Sequence, residues 1–251
     1  MELGREIQRL FDTYRFNKYA LKKYLINDGK EHPFALVIPG GGYGMVCSYN
    51  EGVPFAKILN KKGINVFILY YRVKGKAKYP NPLLDVVKAM KHIIKHQEEY
   101  HIDIHNYAVY GSSAGGHLAG MYARSDIGYK AYNLPKPKAL VLIYPVVSLE
   151  DPTHIGTRDL ILGNDITEER KKFLSLDLHI DENFPKTYFW TGDNDNTVDP
   201  LNSIKLDKAL FEKKIKHKFR LYPGLDHGLG IAKDTIAKDW IYESIDFWLD
   251  E

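Results

Sequence analysis

"VYGSSAGGHLAG", residues 109–120, sets two adjacent serines among glycines directly after an apolar run. Its centre matches G-x-S-x-G at 111–115, and it falls between a predicted strand at 107–111 and a predicted helix at 114–125. A serine on a sharp strand-to-helix turn occupies strained backbone, and a side chain at either flank would strike the neighbouring strand or helix. Gly111 and Gly115 therefore read as steric requirements, and Ser113 rather than Ser112 as the candidate nucleophile. The pentapeptide alone is a weak signal, because Gly/Ser-rich turns are common. Its surroundings must decide.

Around it, short apolar β-rich runs alternate with segments of helical period. Strands are predicted at 34–40, 64–72, 107–111, 139–145, 187–192 and 218–224, most ending in Gly or Pro. Leu83, Val87, Met90 and Ile94 recur about once per helical turn opposite Lys88, Lys91 and Lys95, which predicts an amphipathic helix over 82–99 begun by Pro82. Further helices are expected at 52–62, 114–125, 200–214 and 234–249, the last burying Ile236, Trp240, Ile245, Trp248 and Leu249. Such alternation makes an α/β fold, a mostly parallel central sheet with helices on both faces. Residues 148–184 interrupt it as a polar, weakly periodic segment, read as a small cap-like insertion, and "NKYALKKYLIND" at 17–28 reads as an edge strand or hairpin. No repeat or linker is visible, so residues 1–251 are expected to form one domain.

A serine hydroxyl needs a base, and the base needs an orienting carboxylate. "GLDHGLG" at 224–230 supplies His227 after the last predicted strand, and "TGDNDNTVDP" at 191–200 supplies the acid after the preceding one. The order serine, acid, histidine, each at a strand's carboxyl end, is the one this type of fold uses. Among the acids Asp195 fits best, inside the loop and three residues before Val198, with Asp193 and Asp199 as alternatives; Asp226 ranks last because it adjoins His227. "IPGGGYG" at 38–44 follows the first clear strand and supplies N–H donors for a developing oxyanion, Gly41 and Gly42, joined by Ala114, the residue after the nucleophile. It lacks the Gly-Lys-Ser/Thr of a phosphate loop.

Composition narrows the field. Hydrophobic, aromatic and charged residues at 44%, 13% and 27% are those of an ordinary folded chain. With 35 Lys plus Arg against 32 Asp plus Glu, and scattered lysines such as Lys213, Lys214, Lys216 and Lys218, no nucleic-acid footprint is expected. Cys47, the lone cysteine, is read as a small buried hydrophobe; it permits no intrachain disulfide and fits a reducing compartment. The N-terminus lacks an apolar signal region, and the run at 139–147 is about half the length a bilayer requires, so a cytoplasmic chain without membrane contact is expected. His92 and His96 stand one turn apart with no third ligand at a suitable spacing, so no metal is expected; His117 is read as helix packing behind the site. Tyr129 and Tyr132, read as exposed, leave a homodimer contact open.

Together "PGGGYG", "EG", "AKILNKKGINVFILYYR", "PNPLLDVVKAMKHI", "YGSSAGGHLAG", "TGDNDNTVDP" and "DHG" resemble the α/β-hydrolases of the esterase/lipase superfamily, most of all small bacterial acetyl-xylan-esterase-like carbohydrate esterases. The likeness runs from about residue 34 to the C-terminus, and its ordered motifs are far more specific jointly than singly. It implies the α/β-hydrolase fold, a cofactor-independent acyl-serine mechanism on Ser113 with His227 as base and Asp195 orienting it, and small acyl esters of sugars or similar alcohols as substrates. Many relatives carry HGGG where this chain has Pro39, which removes a supporting histidine but not the backbone donors. Tyr43, directly after the glycines, is then expected to face the acyl or alcohol pocket. An amide hydrolase resembling the arylformamidases, and a non-catalytic binding protein on the same fold, are the rival readings.

Overall fold

The computed structural model describes residues 20–250. A seven-stranded sheet runs in the order β1-β3-β2-β4-β5-β6-β7, formed by β1 (Leu21–Tyr24), β2 (His32–Ile38), β3 (Asn65–Leu69), β4 (Ile102–Ser112), β5 (Ala139–Ile143), β6 (Lys186–Gly192) and β7 (His217–Tyr222). All neighbouring pairs are parallel except β1 with β3. β1 is the predicted edge strand; it is short and exposes Lys22 and Lys23, a composition that discourages pairing with another chain. Residues 17–19 of that prediction lie outside the described residues.

The buried stretches of β2 and β5 are continuous apolar runs because both faces of the sheet are covered. Along β2, Phe34, Leu36 and Ile38 enter one core cluster while Ala35 and Val37 enter the other; β5 divides Leu140 and Leu142 from Ala139, Val141 and Ile143 in the same way. The first cluster is closed by α3 (Asn81–Lys95), α5 (Ala114–Ala123) and α8 (Leu201–Glu212). The second is closed by α2 (Val53–Lys61) and α9 (Trp240–Leu249), with Phe55 edge-on to Trp240. Two short helices, α1 (Ser48–Glu51) and α4 (Gln97–Tyr100), complete the set before β4.

Residues 148–184 contain α6 (Ile155–Leu162) and α7 (Glu168–Phe173). Ile161, Leu162, Leu174 and Leu176 join the first core cluster, and Leu176 fills the space a Cβ on Gly120 would need. The segment is thus anchored on α5, a few residues beyond the serine turn.

Several expectations are corrected. The final helix begins at Trp240 rather than 234: Ala232 and Asp234 have φ of 51° and 62°, and Thr235 Oγ1 donates to the Ala232 carbonyl, competing with helical pairing. Ile236 is consequently 62% exposed, and Leu249 at the far end 38%, while Trp240, Ile245 and Trp248 are buried. Tyr129 is buried, its hydroxyl donating to the Asn183 carbonyl at 3.0 Å, and Tyr132 is half-buried, so neither is the exposed aromatic a dimer contact needs. Cys47 is half-buried. No helix among the described residues is long and apolar enough to cross a membrane.

Candidate active site

β4 ends at the serine turn. Ser113 adopts φ 52° and ψ −122°, a conformation that costs an L-residue about 1–3 kcal/mol. The surroundings over-determine it: its N–H donates to Ile143 at 2.9 Å, and its carbonyl accepts from Gly116 at 3.0 Å and Val146 at 3.1 Å. A Cβ on Gly115 would lie 2.1 Å from the Ile38 carbonyl oxygen, and one on Gly111 2.5 Å from that of Gly115. Both flanking glycines are therefore steric necessities. Ser112 Oγ is buried without a hydrogen-bond partner among the described residues, whereas Ser113 Oγ lies 2.9 Å from His227 Nε2.

His227 Nδ1 lies 2.7 Å from Asp195 Oδ2. A carboxylate only accepts, so Nδ1 carries the hydrogen and Nε2 presents its lone pair to the Ser113 hydroxyl. Asp195 is 4% exposed, and its Oδ1 is fixed by the N–H groups of Thr197 at 2.9 Å and Val198 at 2.8 Å. The alternative acids face elsewhere. Asp193 accepts from Gly224 N–H, Asp199 from Leu201 N–H at the start of α8, and Asp226 from the Asn194 amide.

The loop after β2 lies against this group. A Cβ on Gly40 would be 2.8 Å from Ser113 Cβ, and Gly41 and Gly42 have φ of 120° and 62°, which glycine adopts without strain. Gly41 carbonyl accepts from the N–H groups of Gly44 and Met45, closing the loop on itself. Among the described residues the N–H groups of Gly41, Gly42 and Ala114 donate to nothing, and Ala114 opens α5, where the helix dipole favours negative charge. These three are the expected donors. The Gly40 N–H is engaged by Glu51 Oε2 at 2.7 Å.

Tyr43 requires a correction. Its side chain is wholly buried, edge-on to Tyr71 and His117, with its hydroxyl 2.9 Å from His117 Nδ1, so it braces the loop from behind instead of lining a pocket. His117 Nε2 lies 2.7 Å from the Leu174 carbonyl, which only accepts; Nε2 therefore carries the hydrogen and Nδ1 accepts from Tyr43. Burial pushes His117 down to about 4, keeping it neutral. It packs between the glycine loop and the anchored 148–184 segment.

Three contributors escaped the sequence reading. Glu51, 4% exposed, accepts the Tyr144 hydroxyl at 2.9 Å as well as Gly40 N–H, and burial raises its carboxyl above the usual range. Tyr144 lies with its ring 4.6 Å from that of His227; within the apolar run at 139–147 it reads as one more strand residue. His154 stands over the glycine loop, 3.3 Å from where a Cβ on Gly42 would lie, and its Nδ1 accepts from Thr157 at the start of α6. Burial first, and then the nearby His227, hold it below the usual histidine range. Its one sequence signal is the cap position in "THIGT".

His92 and His96 are each engaged within the chain: His96 Nδ1, just past α3, lies 2.7 Å from the His92 carbonyl, and His92 Nε2 lies 3.2 Å from the Tyr100 hydroxyl. Among the described residues no group of three His, Cys, Asp or Glu is arranged to hold a metal. A groove of about 520 Å³ adjoins Asp195, lined also by Thr153, Asn196, Thr197, Leu201 and Ile204 among others.

Ser113, Asp195, His227 and the glycine loop all stand at the carboxyl ends of parallel strands in a sheet covered on both faces, and this defines the α/β-hydrolase fold. Residues 24–210 match the BD-FAE family, and the chain belongs to it. It is 33% identical over 226 residues to endo-1,4-beta-xylanase B of Butyrivibrio fibrisolvens, covering 86% of this chain and 35% of that protein. It is 26% identical over 247 residues to an acetylxylan esterase of Xylanibacter ruminicola, covering 91% of this chain and 50% of that one. The chain thus spans half or less of the length of these curated relatives. Among solved structures, an acetyl ester-xyloside bifunctional hydrolase from Caldicellulosiruptor lactoaceticus superposes with a TM-score of 0.80 at 31% identity, covering 90% of this chain and 88% of that one.

Proposed function

We propose that this chain is a serine carboxylic-ester hydrolase that removes small acyl groups, acetyl above all, from sugars or similar alcohols. The observation that carries the proposal is the continuous relay from Asp195 Oδ2 through His227 to Ser113 Oγ, at 2.7 and 2.9 Å, beside three backbone donors that are uncommitted among the described residues. The names of the Xylanibacter and Caldicellulosiruptor relatives support the substrate class.

In this mechanism His227 Nε2 takes the Ser113 proton as Oγ bonds to the ester carbonyl carbon. The carbonyl π pair moves onto oxygen, where Gly41, Gly42 and Ala114 N–H groups receive it; one such donor is worth about 10²–10³ in turnover. Collapse breaks the carbon–oxygen bond to the alcohol, which leaves with the proton from Nε2. Water then attacks the acyl-Ser113 carbonyl while Nε2 accepts its proton, and Ser113 Oγ departs and recovers that proton. Ester plus water becomes acid plus alcohol, with the enzyme restored. Asp195 holds the imidazole in the required tautomer and stabilises the imidazolium at each step.

The test is a panel assayed in parallel on wild type and Ser113→Ala: peracetylated xylose, a longer-chain ester and an N-formyl aryl amine. Ser113-dependent release of acetate from the sugar at the highest kcat/KM is the expected result. Preference for the formyl amide would overturn the substrate class in favour of an amidase.

A further inference from the structure

Glu51 is a buried carboxylate that the acyl-transfer steps do not use. A carboxylate taken out of water is costly unless donors satisfy it, so its retention asks for an explanation. Its partners are two loops of the site. Oε2 accepts Gly40 N–H at 2.7 Å, directly before the expected oxyanion donor Gly41, and Oε1 accepts the Tyr144 hydroxyl at 2.9 Å. The Tyr144 oxygen in turn accepts Gly230 N–H at 2.9 Å, three residues past His227, while its ring packs on the imidazole. The adjacent Asn50 amide donates to the Gly228 carbonyl at 2.7 Å, and Cys47 N–H donates to the Gly40 carbonyl at 3.0 Å. α1 therefore grips both loops.

The donor directions explain the residue type. Gly230 N–H takes up a lone pair of the Tyr144 oxygen, so the tyrosine's one hydrogen points to Glu51, and Gly40 N–H points there too. Two converging donors need a group with two acceptor oxygens and no hydrogen of its own, which an ionised carboxylate is and a carboxamide is not. Cys47, Tyr71, Tyr144 and His227 are the other titratable groups facing it.

We propose that Glu51, acting partly through Tyr144, is a positioning residue that fixes the glycine loop and the His227 loop in register over Ser113 Oγ. The proposal rests on the serine-hydrolase reading of the site.

Wild type, Glu51→Gln, Tyr144→Phe and the double variant are compared for kcat and KM on p-nitrophenyl acetate and for the rate at which diisopropyl fluorophosphate labels Ser113. Melting midpoints establish that all are folded at the assay temperature; Tyr144→Phe preserves shape if Glu51→Gln does not fold. Misplacing reacting groups costs turnover more than ground-state binding, so Glu51→Gln should lose about 100-fold in kcat with KM within about threefold. Tyr144→Phe, which keeps Gly40 tethered, should lose about tenfold, and the double variant should be no worse than Glu51→Gln because both lie on one tether. Wild-type kcat in a folded single variant, a loss confined to KM, or additive losses would each overturn the proposal. If the wild type is labelled at Ser113 but cleaves no ester, the ester reading fails while the labelling rates still decide this one, and equal rates in all four proteins refute it. A folded wild type that is not labelled overturns both.

Discussion

Asp195→Asn is the substitution whose effect follows most directly from the hydrogen bonds. Oδ1 accepts from the N–H groups of Thr197 and Val198 at 2.9 and 2.8 Å, so the new carboxamide must keep its oxygen there. Its NH2 then occupies the Oδ2 position, 2.7 Å from His227 Nδ1, and two donors cannot meet. The imidazole adopts the other tautomer, with its hydrogen on Nε2 facing Ser113 Oγ, and has no lone pair for the serine proton. The same change in another serine-hydrolase triad lowers kcat about 10⁴-fold, and an equal loss here corresponds to about 5.4 kcal/mol of transition-state stabilisation. Two backbone bonds survive, so stability should change by no more than about 1 kcal/mol. Steady-state turnover of p-nitrophenyl acetate, with urea unfolding of both proteins, reads both numbers. Asp195→Asn within tenfold of wild type, or Asp193→Asn showing the large loss instead, would rule out Asp195 as the residue that orients His227.

Other substitutions probe other parts of the account. Gly41→Ala forces a Cβ to 2.5 Å from the Met45 carbonyl oxygen at a φ of 120°, so kcat should fall about 10²–10³-fold while diisopropyl fluorophosphate still labels Ser113, more slowly. Tyr43→Phe removes the bond to buried His117 and should lower stability by about 1 kcal/mol with KM unchanged; an altered KM for a series of acyl chains would return Tyr43 to the pocket. His117 titrates near 4 in the folded state against 6.5 for the free side chain. The unfolded chain binds the extra proton, so the contribution of neutral His117, about 3 kcal/mol, is present above pH 6.5 and is lost as pH falls toward 4. Unfolding free energies of wild type should therefore fall across that window more steeply than those of His117→Gln, and parallel curves would count against it.

Much of the site was legible because acyl transfer demands particular atoms at the ends of particular strands. The glycines of the serine turn, the order of Ser113, Asp195 and His227, and the loop at Gly41 and Gly42 are each tied to a strand end that hydrophobic runs mark clearly. What escaped depends on side chains that meet only in three dimensions. Tyr144 looks like strand filler until β5 places it beneath His227, and Glu51 lies 93 residues from the hydroxyl it accepts. Tyr43 follows the glycines, yet its φ of 58° and its bond to His117 turn it inward. The late start of α9 has a local cause, positive φ at Ala232 and Asp234, that periodicity does not register.

The assignment of Ser113 as the nucleophile is decided by hydrolysis of p-nitrophenyl acetate by wild type, Ser112→Ala and Ser113→Ala. Near wild-type turnover is expected for Ser112→Ala, whose hydroxyl is buried and without a partner among the described residues, and turnover reduced to background for a folded Ser113→Ala. Equal activity in the two variants would contradict it.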